Sequence, residues 1–304
     1  MVLPYSELHA HSAYSVLDGL PSPEEYVIRA KELGLESIAL TDHGSNAGHR
    51  EMYDAGVKHG VKIILGQEMY FNPTQTGDTL SKARREDGEN AYHHMIVLAK
   101  NNEGLKNLNE LSAHAWKKDF YQKPRVAFDV LAEHKEGLVV TAACVGGIIG
   151  RQIMNDDLDS AREWAVRFKE LLGDDFYGEI HPEDDLIKAD YTKNMLEIMD
   201  DLEIKTIITS DCHYARPEDL WLEESVLILN TNPKKNTEVD ASKLATMELL
   251  EKFNYLYPDR RMTFQEIQVY LSSAEEKRHR LLQLGIERED VFYNTVEVSD
   301  KIVS

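Results

Sequence analysis

Short β-branched, apolar runs alternate with longer stretches of helical period along most of this chain, and that rhythm restricts the fold more than any other feature. The runs read as strands over Tyr5–His9, Glu36–Thr41, Lys62–Tyr70, Tyr92–Ala99, Gly137–Ala142, Phe176–Ile180 and Lys205–Ser210. Between them the spacing predicts helices such as Pro23–Leu33, Asn102–Lys117, Ala161–Leu172 and Ile187–Leu202, the first with Gly34 just past its end. Strands alternating with helices imply βαβ units and a parallel sheet. Seven such units without a clear break favour a closed α/β barrel over an open sheet. The polar stretch Asn72–Asn90, with Lys82, Arg84 and Arg85, reads as a long loop between strands three and four. After about Trp221 the strand rhythm fades. Residues 1–220 are therefore expected to form the barrel and 221–304 a mostly helical extension.

Composition narrows the function. There are 54 acidic against 34 basic side chains, a net charge of −20, which argues against a broad, sequence-blind grip on a polyanion. A nucleic-acid end held through metal ions stays compatible with that charge, because local cations can oppose the global sign. Two cysteines, Cys144 and Cys212, make no disulfide framework and read as free thiols, buried or bound to metal. No apolar run approaches the ~18 residues of a membrane span, and the N-terminus lacks a basic-then-apolar signal. A soluble, cytoplasmic protein with no membrane partner is expected.

Ligand-type side chains gather at strand ends. In His9-Ala10-His11 the side chains at i and i+2 of an extended chain point the same way, so both imidazoles can reach one ion. Asp211-Cys212-His213 repeats that spacing at the end of strand seven, with Cys212 pointing away. Asp42-His43 closes strand two, Glu68 lies near the end of strand three, Cys144 follows strand five, and Asp18 lies after strand one. In a βα barrel these ends converge on one rim. His94 is out of place, since it opens strand four. A lone histidine beside a strand is more often structural than a ligand; the combination is what carries the argument. His49, His59, His114, His134 and His279 lie in helical or loop contexts and read as surface residues. Mixed imidazole, carboxylate and thiolate donors favour Zn, Mn or Fe over Mg or Ca. Nine donors suit two or three divalent ions, with Glu68 as a plausible bridge. Clustered ions of this kind serve in-line displacement at phosphorus, so the residues point to a multi-metal phosphoester hydrolase. Trp116, Lys117, Lys118, Tyr121, Lys123 and Arg125 form a basic-aromatic patch that can stack and neutralise a nucleic-acid strand, with a solvated helix end as the plainer alternative.

The segments ELHAHSAYSVLDGL, IALTDHG, GQEMYF, HMIVLAKNNEGLKNL, TAACVGG and ITSDCHYARPED resemble, in order from Tyr5 to Asp219, the motifs of the PHP (polymerase and histidinol phosphatase) domain. The closest form is the one at the N-terminus of bacterial DNA polymerase III alpha subunits. The resemblance implies a distorted (β/α)7 barrel. It also implies metal positions at His9, His11, Asp18, His43, Glu68, His94, Cys144, Asp211 and His213. Three subsites follow from it: His9, His11, Glu68 and Asp211; Glu68, His94 and Cys144; and Asp18, His43 and His213. Glu68, His43, Asp211 and His213 are the expected catalytic set. Asp42 and His181 are candidates for orienting ligands or substrate, with a cap or surface role as the equal alternative for either, and Arg84 and Arg85 join the patch above as candidate nucleic-acid contacts.

The resemblance implies a metal-dependent 3′–5′ exonuclease of proofreading type, acting on single-stranded DNA or a DNA 3′ end. The chain stops where a polymerase palm would start, so polymerisation is not expected of it and a separate polymerase core chain is a candidate partner. Two alternatives stand beside this reading. One is a metal-stabilised structural module of a replicative polymerase. The other is a small-molecule phosphatase of the histidinol phosphatase type, against which the polymerase-type flanks argue.

Overall fold

A computed structural model describes residues 3–73, 92–182, 186–259 and 262–303. The first half contains β1 (Ser6–Glu7), α1 (Pro23–Leu33), β2 (Ser37–Leu40), α2 (His49–His59), β3 (Lys62–Asn72), β4 (His93–Ala99) and α3 (Asn102–Lys117). A short ribbon, β5 (Phe120–Tyr121) and β6 (Lys123–Ala127), precedes α4 (Phe128–Glu133) and β7 (Leu138–Thr141). The barrel finishes with α5 (Ile148–Met154), α6 (Leu158–Leu172), β8 (Phe176–Ile180), α7 (Leu186–Asp201) and β9 (Thr206–Ile208). The extension holds α8 (Leu220–Thr231), α9 (Ala241–Thr246), α10 (Leu249–Leu256), α11 (Ala274–Gln283) and α12 (Asp290–Lys301). Local chemistry sets these boundaries. Ser22 and Glu25 form a capping box ahead of α1, and Gly34 ends that helix at φ 68°, a conformation glycine adopts without strain.

The strands follow the order β1-β2-β3-β4-β7-β8-β9, with β6 paired to the outer end of β3. All neighbours on this path are parallel except β4, which runs antiparallel to both β3 and β7. That corrects the expectation of an all-parallel sheet. A parallel partner needs a crossover, and no helix among the described residues lies between β3 and β4. The reversal also removes the anomaly of His94. The start of an antiparallel strand lies at the same rim as the ends of its parallel neighbours, and Tyr70 of β3 pairs with His94.

At the rim the first and last strands meet through an isolated Ala10–Cys212 bridge, with His11 N donating to Cys212 O at 2.7 Å and Cys212 N to His9 O at 3.0 Å. At the opposite end α12 fills the gap. Ser6 N donates to Thr295 Oγ1 at 3.0 Å, and Asn294 Nδ2 donates to Thr206 O at 2.8 Å. Leu8, Ala39, Ile64, Ile96, Val139, Tyr177 and Ile207 form the barrel interior, closed below by Val298 and Ile302. The result is a distorted (β/α)7 barrel with a helical C-terminal region whose last helix plugs the barrel floor. No helix of the described residues is long and apolar enough to cross a membrane.

Candidate metal centre

The open rim carries the nine side chains singled out in the sequence. His9 and His11 leave the end of β1 and meet Glu68 of β3 and Asp211 beyond β9. His9 Nε2 lies 3.0 Å from His11 Nε2, and each is 3.1 Å from Asp211 Oδ1. Glu68 Oε2 is 3.2 Å from His11 Nε2 and 3.7 Å from His9 Nε2. Glu68 Oε1 faces His94 Nδ1 at 2.8 Å, and Cys144 Sγ is 3.6 Å from that same nitrogen. Asp18 Oδ2 lies 2.9 Å from His43 Nε2 and 3.4 Å from His213 Nε2. His43 also reaches Glu68 Oε2 through Nδ1, at 2.8 Å, so the groupings share residues.

The donor set fits metal ions on the structure's own evidence. Both oxygens of Glu68, Asp18 Oδ2 and His43 Nδ1 are buried without a hydrogen-bond partner despite those short approaches. Buried polar atoms of this kind are ordinarily satisfied, so several aimed at one another call for a cation between them. The tautomers agree. His9 Nδ1 donates to Glu179 Oε1 at 2.7 Å, which leaves its Nε2 lone pair facing the cluster. His213 Nδ1 donates to Asp211 O at 2.8 Å, which frees Nε2 toward Asp18. Asp211 takes φ 49° and Ala143, just before Cys144, takes φ 56°. These left-handed conformations are uncommon for residues other than glycine and cluster at functional sites. Asp211-Cys212-His213 is therefore not the simple extended triplet that its spacing suggests. Cys212 is buried with Ala10 and Tyr26, away from the donors.

Protons stand in for cations when no metal is bound. Burial opposes charge on His43, but Glu68 and Asp18 outweigh it and raise the imidazole to about 10. His213 is likewise opposed by burial and raised to about 9 by Asp18 and Asp211. Burial, reinforced by Asp211 and Glu68, pushes the Cys144 thiol up. Burial favours a neutral Glu68, yet His94, His43 and His9 hold it well below the usual carboxylate range.

A supporting layer surrounds the donors. Glu179 also accepts from Thr209 Oγ1 at 2.6 Å and His181 Nε2 at 3.1 Å, and Thr141 Oγ1 donates to its other oxygen. Asp42 accepts from Ser12 N at 2.7 Å and Ser15 Oγ at 2.9 Å, and Ser15 Oγ lies 3.3 Å from His11 Nδ1. Asp42 thus acts on His11 through Ser15, while His181 lies close enough to His9 and Asp211 to share an ion with them. Sequence reading missed Glu179, Ser15, Thr141 and Thr209. The one available signal was a charged residue inside the apolar run Phe176–Ile180. A cavity of about 280 Å3 opens onto the donors, with Met262, Phe264, Ile267 and Val269 on one wall and Val145, Arg151 and His181 among its other residues. Phe264 packs on His213 with ring centres 5.0 Å apart, and Glu224 holds the wall by accepting from Phe264 N at 2.6 Å. A larger groove of about 570 Å3 lies between α2 and α3 and is mostly apolar, with no carboxylate or histidine among the described residues of its lining.

The basic-aromatic patch adjoins this rim. Trp116 Nε1 donates to Gly44 O at 2.8 Å, and Trp116 stacks on Phe120 at 5.2 Å and 18°. Lys123 Nζ donates to Tyr70 OH at 3.1 Å, and Tyr70 stacks on His43 at 5.7 Å. The stretch is the last turn of α3 plus the β5–β6 ribbon, not a helix end alone. Arg125, expected as a nucleic-acid contact, is 1% exposed, donates to Tyr121 O and lies over the Tyr92 and Tyr121 rings. Its guanidinium braces the ribbon instead. Arg84 and Arg85 lie outside the described residues.

Barrel and rim together define a βα-barrel protein with a candidate multinuclear metal centre. Residues 7–183 match the PHP domain, and the chain belongs to that family. Among curated relatives it is similar to DNA polymerase III subunit alpha of Aquifex aeolicus, 34% identical over 226 residues, covering 74% of this chain and 20% of that protein. The Borreliella burgdorferi subunit is 30% identical over 297 residues, covering 98% and 23%, and that of Treponema pallidum 34% over 261, covering 84% and 22%. The chain thus spans less than a quarter of the length of these relatives. Among solved structures it is similar to a two-domain Bacteroides vulgatus protein containing a predicted PHP-like metal-dependent phosphoesterase. That match has a TM-score of 0.43 at 18% identity and covers 69% of this chain and 52% of that one.

Proposed function

We propose that this chain is a metal-dependent phosphodiesterase that shortens single-stranded DNA from its 3′ end. The observation that carries the reading is Glu68, whose two buried, unpartnered oxygens face different histidines, Oε2 toward His9, His11 and His43 and Oε1 toward His94. A carboxylate placed this way suits bridging of adjacent ions. Two or three divalent ions, of the Zn, Mn or Fe type that this donor set favours, would be held by His9, His11, Glu68 and Asp211; by Glu68, His94 and Cys144; and by Asp18, His43 and His213. When bound, such ions acidify water and neutralise charge on a phosphodiester.

The chain's own residues supply the remainder. Glu179 and Ser15 hold the His9 and His11 rings in register. His43, Glu68, Asp211 and His213 line the space where a scissile phosphate sits and form the proposed catalytic set. The hydrophobic wall of Met262 and Phe264 limits water at one side of the cavity. Exposed Trp116 and Phe120, with Lys117 and Lys118 beside them, offer a stacking surface that leads an unpaired strand toward His43. The similarity to DNA polymerase III alpha subunits supports DNA as the substrate and a polymerase core as a partner.

The test is digestion of 3′- and 5′-labelled single-stranded DNA by protein loaded with Mn or Zn, by chelated protein, and by an Asp211→Ala, His213→Ala double variant. Metal-dependent shortening from the 3′ end, absent in the double variant, is the expected result. Turnover of phosphomonoesters but not of DNA would favour the small-molecule phosphatase. Bound metal without any hydrolysis would leave a structural module.

A further inference from the structure

We propose that Arg151 is the residue that grips the substrate phosphate beside the metal centre, by paired hydrogen bonds from its guanidinium to two non-bridging oxygens. The inference rests on the phosphoesterase reading and adds the group that recognises the phosphate. The cavity at the rim is lined by Asp18, His43, Glu68, His94, Cys144, Asp211 and His213, and among the described residues Arg151 is the one lysine or arginine in its lining. Every other polar side chain named there either faces another donor of the cluster or, like His181, is engaged by Glu179.

Arg151 is exposed, and among the described residues its side chain has no ion pair or hydrogen bond. By contrast, Arg216 is bound by Glu32 and Arg288 by both Asp200 and Asp290. The three carboxylates nearest in the cavity, those of Asp18, Glu68 and Asp211, are turned toward the histidines. A guanidinium without a partner among the described residues, in the lining of the candidate metal cavity, suits a phosphate, whose oxygens accept its parallel N–H groups.

The backbone under Arg151 is tied to the centre. Arg151 N donates to Gly147 O at 2.8 Å, Gly147 N to Cys144 O at 2.8 Å, and His94 N to Gly146 O at 2.9 Å. A Cβ on Gly147 would come within 2.1 Å of Ala142 O and one on Gly150 within 2.7 Å of Cys144 O, so α5 is pressed against the Cys144 loop. Ile148, Ile149 and Ile153 bury the other side of the helix. The backbone of Arg151 and two proposed ligands therefore belong to one rigid unit, which fixes where the arginine side chain starts relative to them.

Calorimetric titration of inorganic phosphate into the Mn-loaded full chain tests this without relying on turnover. Arg151→Ala is expected to bind phosphate about tenfold or more weakly at unchanged metal content. Arg151→Lys should recover part of the affinity, because it restores the charge but not the fork. Loss of metal from Arg151→Ala would make Arg151→Lys and Arg151→Gln the informative pair, with Gln expected to be the weaker. Equal phosphate affinity in wild type and in a variant of full metal content overturns the proposal, as does failure of the wild type to bind phosphate. Arg151-dependent phosphate binding without DNA cleavage would uphold this inference and reject the nuclease.

Discussion

Glu179 matters without standing among the proposed ligands. Its carboxylate is fully buried and takes hydrogen bonds from His9, His181, Thr209 and Thr141. Burial alone would raise its pKa, but the charge of His9 and the bonds from His181 and His9 keep it far below the usual range. An acceptor behind a metal-binding imidazole fixes the ring and its tautomer, and removing one typically costs about 10- to 100-fold in metal affinity. Glu179→Gln keeps the volume but replaces one acceptor oxygen with a donor amide. It should weaken binding of the ion near His9 by about that factor, read by competition with a chromogenic chelator, while circular dichroism stays native. Wild-type affinity in this variant would reduce Glu179 to a packing residue. The clustering of His9, His11, Asp211 and His213, four of the proposed ligands, was legible in the sequence, because the spacing of His9 with His11 and Asp211 with His213 is compressed into three residues each. Glu179 was not, because one acid in a strand ordinarily marks a solvent-facing position. Only the sheet, covered on both faces, turns it inward.

Elements show where pattern and topology part. Period and capping located most strands and long helices, yet the reversal of β4 left no mark on its own sequence, since a strand reads alike in both directions. The β5–β6 ribbon was missed because strands of two and five residues fall below any periodicity. The buried face of α11 was equally silent, although it reaches the heart of the barrel. Lys277 on that helix is 0% exposed, donates to Ser272 O at 3.0 Å and Ser272 Oγ at 2.9 Å, and lies 3.3 Å from Glu7 Oε2. Glu7 in turn accepts from His9 N and Ser210 N, both at 3.2 Å, and so links the two strand ends that present His9 and Asp211. Breaking a buried pair by deleting one partner strands the other charge, at a cost of about 3–5 kcal/mol. Lys277→Met should lose stability of that order in urea unfolding of the chelated protein, and a Glu7→Gln, Lys277→Met double variant should regain part of it. A loss below ~1 kcal/mol would mean that Glu7 is already satisfied by Tyr5 and the two backbone amides.

For the whole molecule, the barrel was legible because its strands follow one another around the sheet, with β5 and β6 standing aside. The return of α12 to the barrel floor joins residues nearly a chain length apart, as in the Ser6–Thr295 bond, and local pattern says nothing about such a contact. The rim then sets how stability answers to metal and pH. Without ions, Asp18, Glu68 and Asp211 are balanced by protonated imidazoles, with His213 raised to about 9 and His43 to about 10. A group whose folded pKa lies above its unfolded value near ~6.5 contributes stability that is complete below that pH. The contribution fades as pH climbs through the folded values. Chelated protein should therefore lose melting temperature steadily between pH 7 and pH 10. Divalent ions held at the proposed centre would displace those protons and that of Cys144, so their affinity should rise over the same range and they should stabilise the folded state by mass action. The melting temperature of Mn-loaded protein should consequently fall less, and the gap between loaded and chelated protein should widen with pH. Calorimetric scans at fixed free metal across that interval decide the matter. A gap independent of pH would show that ions and protons do not compete for the same imidazoles, and the centre assigned to His43 and His213 would have to be abandoned.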